Sequence, residues 1–144
     1  MPAQAVIPLK VDRGSTIPFL LRVRIKGGLA HRAFPTAAHP GRLDGERFAL
    51  YVWPDTTVSD LVQHVHDAAN ADAERHPVEG CGVGPGARLG LRVLFPHTGE
   101  PPWNAMDLGT VSVAHSAGEP LAAQTVAAAG IRPGDVLDVL VRSA

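Results

Sequence analysis

One cysteine in 144 residues, Cys81, excludes an internal disulfide and cannot by itself supply a zinc cluster. Neither sign of charge is in excess. Thirteen Lys and Arg stand against 14 Asp and Glu, a formal charge of −1 at pH 7 with His neutral. That balance removes the electrostatic basis for sequence-blind binding to nucleic acid or to an anionic membrane. No apolar run approaches the roughly 20 residues that a spanning helix needs. The start, MPAQAVIPLKVDRG, lacks the basic-then-apolar order of a secretory signal. The expectation is a soluble, intracellular protein with no direct nucleic-acid partner and no membrane partner.

The length is that of one ordinary domain. Hydrophobic residues reach 45%, enough for a real core, while charged residues at 19% fall below the usual quarter. Fifteen glycines and 13 prolines make 28 residues, a content above the usual level of about 12%. They are not spread evenly. Residues 1–17 carry no sustained pattern and read as an N-terminal tail or strap. Residues 18–144 read as a single domain, with loop insertions near 27–47 and 76–88, where glycine and proline concentrate. The second insertion, HPVEGCGVGPGAR, is expected to be flexible.

Between these loops the apolar spacing is regular. Phe19, Leu21, Val23 and Ile25 alternate with Leu20, Arg22 and Arg24, as in a half-buried strand. A second strand over 48–53 puts Phe48, Leu50 and Val52 on one face and Ala49, Tyr51 and Trp53 on the other. Thr57 is a good helix N-cap, and Val58, Leu61, Val62, Val65, Ala68 and Ala69 follow at helical spacing to about Ala73. Leu89 to Phe95 alternates again, Pro96 to Trp103 reads as a loop, and Leu108 to Ala114 as a short strand. Thr125 to Ala129 reads as one helical turn closed by Gly130, before a Pro133-Gly134 turn and a last strand over 136–141. The order predicts an α+β, ubiquitin-like β-grasp: a mixed sheet of four or five strands with one main helix and a short second one. Its first strand lies beside the second and the last. The sheet face away from the helix is expected to be uncovered, and function is expected there.

No catalytic set assembles on this frame. His64 and His66, two apart on a helix, stand about 200° round from each other and cannot share an ion. The other five histidines fall mostly in loops, so neither a metal nor a cofactor is expected. Cys81 sits among glycines with Glu79 nearby, not in the electropositive setting that activates a thiol. Those glycines follow a helix and precede a strand, the wrong order for a nucleotide-binding loop. The end of the sequence, Val141-Arg142-Ser143-Ala144, offers no Gly-Gly tail for a conjugated modifier or sulfur carrier. What remains is a surface: Leu20, Arg22, Arg24, Tyr51 and Trp53 on the non-core faces of the first two strands. Aromatic, arginine and aliphatic residues together make a partner-binding composition. A cross-strand pair of Arg22 with Asp138 would instead make both structural.

Several blocks carry a family resemblance. DRGSTIPFLLRVR (12–24) and FALYVWPDTTVSDLVQHV (48–65) resemble the eighteen-kilodalton Sin-associated polypeptide family. The latter block has an aromatic-x-Trp-x-Asp-x-Thr run over Tyr51, Trp53, Asp55 and Thr57. LRVLF (91–95), DLGTV (107–111) and IRPGDVLDVLV (131–141) are similar to later blocks in the same order. The resemblance implies a nuclear adaptor without catalysis, possible in the cytoplasm as well. Its implied partners are a Sin-type histone-deacetylase co-repressor and, in a splicing and exon-junction-associated complex, an Acinus-type protein. An RNA-recognition-motif, serine-rich protein accompanies the latter. The competing readings are a small thiol- or histidine-dependent enzyme, or a ubiquitin-like interaction module of an unrelated pathway.

Overall fold

The computed structural model describes residues 17–28, 30–31, 45–96, 103–114 and 119–142. The strap read at 1–17, apart from Ile17, and most of the 27–47 insertion lie outside the described residues. The elements run β1 (Phe19–Gly27), β2 (Glu46–Val52), α1 (Val58–Arg75), β3 (Arg88–Pro96), β4 (Trp103–Ser112), α2 (Pro120–Ala123) and β5 (Val136–Arg142). They form one sheet in the order β2-β1-β5-β3-β4. β1 runs parallel to β5, and the other neighbours are antiparallel. This is the α+β, ubiquitin-like arrangement expected, with β1 between β2 and the last strand.

Alternation builds the core. Leu21, Val23 and Ile25 of β1, Leu89, Leu91 and Val93 of β3, and Leu137 and Val139 of β5 are buried on one face. They meet Val58, Leu61, Val62, Val65 and Ala69 on the apolar stripe of α1. Thr57 caps that helix: its Oγ1 accepts the Asp60 amide at 3.1 Å. Asp60 also places negative charge in the first turn, where the helix dipole favours it.

Four local expectations need correction. β4 begins at Trp103, five residues before the strand read from the sequence. A register shift opposite Leu91/Arg92 and a positive φ of 122° at Gly109 invert its phase. Trp103 and Ala105 before the shift therefore pack on the opposite face from Val111 after it, and no single period spans the strand. The short helix is Pro120–Ala123, where proline occupies the first turn and suits it. The single turn read over 125–129 follows it: the Ala129 N–H bonds the Thr125 carbonyl at 2.9 Å, and Gly130 at φ 90° closes it. The Gly130 and Ile131 amides donate to the Ala127 and Val126 carbonyls at 3.1 Å.

The third correction concerns 76–88, which is pinned rather than loose. Asn70 of α1 accepts the Val83 amide at 2.7 Å and donates to the Val83 carbonyl at 2.9 Å, and Val83 is buried. Gly80 lies against the helix so closely that a Cβ there would stand 2.6 Å from Ala73 Cα. Gly80→Ala is therefore expected to cost about 1–3 kcal/mol by overpacking, read as a lower midpoint in urea unfolding. An unchanged midpoint would contradict this packing.

The fourth concerns the face away from α1, which is closed over its middle. Arg24, Leu94, Trp103, Val136, Asp138 and Leu140 are all buried there. Leu94, Trp103 and Val136 form a second small core on that side. Alternation tells which side chains point to a face, not what lies over them.

Candidate functional site

β1 and β2 pair antiparallel, with Leu20 opposite Tyr51 and Arg22 opposite Ala49. All four point away from α1, because Phe19, Leu21, Leu50 and Val52 pack with the core. Leu20 is 47% exposed and Tyr51 73%. They form an open apolar pair at the edge of the sheet, since β2 is an outer strand. Arg22 is half-buried beside it, its Nε 3.1 Å from both Glu46 carboxylate oxygens and its Nη2 2.6 Å from Oε1. This fork fixes the guanidinium against the Glu46 carboxylate.

Trp53 follows β2 directly and is half-buried. Its amide donates to Thr56 Oγ1 at 3.0 Å, and its carbonyl accepts the Thr56 amide. The turn that follows is tied down in its own right. The Pro54 and Thr56 carbonyls accept the Ala127 and Val126 amides, and the Val58 amide donates to the Gln124 carbonyl. Tyr51 and Trp53 thus leave a rigid end of β2.

Arg24 lies apart from this group, 1% exposed, with Nη1 3.7 Å from the equally buried Asp138. The parallel β1–β5 register sets Arg24 opposite Asp138 and Arg22 opposite Val136, so the cross-strand pair read for Arg22 belongs to Arg24. Arg92 of β3 donates to the same carboxylate from Nε at 3.0 Å and from Nη2, and His31 Nδ1 lies 3.5 Å away. Burial alone pushes the Asp138 carboxyl up. Hydrogen bonding from His31 and Arg92 and the charges of Arg24 and Arg92 outweigh it and hold the carboxyl below its ordinary value. Register extends the pattern to both edges: Glu46, Arg24, Asp138, Arg92 and Asp107 stand in one row, alternating in sign across all five strands. Sequence reading missed this row. Its signal is a charge in mid-strand on the outer face of each of β1, β3 and β5, although β1 offers two, Arg22 and Arg24.

Cys81 is half-buried and packs against the main core. His66 lies in a helix-surface network, with Nδ1 2.9 Å from Asp67 Oδ1 and Nε2 3.3 Å from Asn70. Among the described residues, no group of three His, Cys, Asp or Glu is placed to hold a metal ion. No described helix is long and apolar enough to cross a membrane.

Comparison with known proteins bears on the same span. A family model described as Sin3 associated polypeptide p18 (SAP18) matches residues 10–141, from ahead of β1 into the last strand. A protein of Arabidopsis thaliana named histone deacetylase complex subunit SAP18 is 26% identical over 134 residues, covering 93% of this chain and 80% of that relative. With the match spanning nearly the whole sheet and both helices, this chain belongs to the Sin3 associated polypeptide p18 family.

Proposed function

We propose that this protein is a non-catalytic nuclear adaptor that links a Sin-type histone deacetylase co-repressor to further partners. The name of the Arabidopsis relative, a histone deacetylase complex subunit, supports the first half of this reading. The exposed Leu20–Tyr51 pair on a rigid sheet edge carries the second. An aromatic and an aliphatic side chain held open by a β-ladder lose little entropy on docking and bury apolar area. Trp53 and the Glu46-braced Arg22 extend the surface, and Arg24, two residues further along β1, adjoins it in the buried charged row.

The partner for this surface is an extended segment of an Acinus-type protein. An RNA-recognition-motif, serine-rich protein completes a splicing and exon-junction-associated assembly and supplies its RNA contact. Binding, not turnover, is the activity, and no cofactor enters it. Affinity purification of the tagged protein from nuclear extract is expected to bring down deacetylase activity above that of an untagged control. Repeated failure to enrich that activity would remove the co-repressor half of the proposal.

A further inference from the structure

The sheet face away from α1 has two different ends. One holds Leu20 and Tyr51. At the other, Lys26, Arg88 and Arg142 gather on β1, β3 and β5. Their neighbours Ile25, Leu89 and Val141 pack with the core, so alternation turns all three cations to the opposite face. Arg142 stands directly opposite Arg88, and Lys26 opposite Leu140, two residues earlier on β5. Both arginines are exposed. Arg22, Arg24, Arg47 and Arg92 each have a carboxylate within 4 Å. Among the described residues Lys26, Arg88 and Arg142 have none. Like charges directly opposed on neighbouring strands destabilise a sheet.

Beside the arginine pair runs a groove lined by His31, Gly90, Arg92, Thr110, Leu140 and Arg142. Gly90 keeps its floor bare. A Cβ there would lie 3.5 Å from Leu140 Cβ and 3.7 Å from His31 Nε2, filling the space between them.

We infer that this groove docks an acidic, extended peptide segment of a protein partner. One carboxylate sits between Arg88 and Arg142, and another is drawn toward Lys26. Charge complementarity selects this occupant, since paired guanidinium groups match carboxylate geometry. A nucleic acid fits poorly. No Phe, Tyr or Trp lines the groove for base stacking, and Asp107 stands on its wall. Three cations on a chain of net charge −1 make no stripe along which a phosphate backbone could run.

The test titrates the full chain against a fluorescent peptide of alternating Glu and Ser, with a Gln-for-Glu peptide and a single-stranded RNA oligomer alongside. The Glu peptide is expected to bind and the Gln peptide not. Arg88→Gln with Arg142→Gln is expected to weaken binding about 10-fold or more. Amide NMR shifts would gather at Lys26, Gly90, Thr110 and Arg142. A second readout needs no ligand: Arg88→Gln alone is expected to raise Tm at low salt, with the gain shrinking as salt screens the repulsion. Equal binding of the two peptides, binding indifferent to the double substitution, or a lower Tm for Arg88→Gln at low salt would each overturn the inference. RNA bound more tightly than the Glu peptide and released by the double substitution would assign the groove to nucleic acid instead.

Discussion

Asp138→Asn is expected to lower stability at neutral pH by about 3–5 kcal/mol, the usual cost of removing one partner from a buried ion pair. For a domain of this size that is a Tm loss of about 10 °C or more. The substitution keeps the shape of the side chain, removes its charge and turns one acceptor oxygen into an amide donor. Arg24, 1% exposed, and Arg92 then face an amide where a carboxylate had neutralised them. No surface substitution on this protein should approach that effect, because exposed ion pairs are worth little.

The same residue fixes a pH dependence. Its carboxyl lies below the ordinary value in the folded state, so folding favours the ionised form. The stability it contributes is present in full above the unfolded value of about 3.9 and is lost as pH falls through the lower, folded value. Denaturation curves of the wild type and Asp138→Asn should therefore lie far apart at pH 7 and converge below pH ~4. A constant gap down to strongly acidic pH would show that the buried row does not depend on this charge.

The core was legible because burial imposes a period. Phe19 to Ile25 and Leu89 to Phe95 alternate, and Val58 to Ala69 follows helical spacing, so each names its inner face without reference to any neighbour. Charge pairing was not legible in that way, because it depends on register between strands far apart in the chain. Moving the partner of Asp138 from Arg22 to Arg24 takes a slide of two residues, which keeps every side chain on its own face and leaves no trace in the apolar pattern. Bulges hide more. The register shift between Val23 and Arg24 leaves Arg47 without a partner on β1. Alternation from Phe48 would point Arg47 away from the helix, yet it forks onto Asp72 of α1 at 3.0 and 3.2 Å and reaches Glu79 at 3.3 Å. Of the surface residues, Leu20 and Tyr51 stand open as alternation at an outer strand allows. Arg24 has the same parity but lies over the middle of the sheet, where that face is closed.

Tyr51→Ala separates recognition from folding. At 73% exposure its ring contributes little to the core, so the change in stability should stay within about 0.5 kcal/mol. A buried aromatic anchor at an interface carries about 2 kcal/mol or more, close to a 30-fold loss of affinity. Leu20→Ala, on the facing strand, should weaken binding by less, in proportion to the smaller area it buries.

The most direct measurement is titration calorimetry of the full chain against an extended Acinus-type segment, with wild type, Tyr51→Ala and Trp53→Ala compared after circular dichroism has shown each variant folded. The account predicts micromolar or tighter binding by the wild type, a loss of about 30-fold for Tyr51→Ala at unchanged Tm, and a comparable loss for Trp53→Ala. Wild-type binding that neither substitution weakens would contradict the placement of the site on the β1–β2 edge, and no wild-type binding would contradict the adaptor's proposed partner.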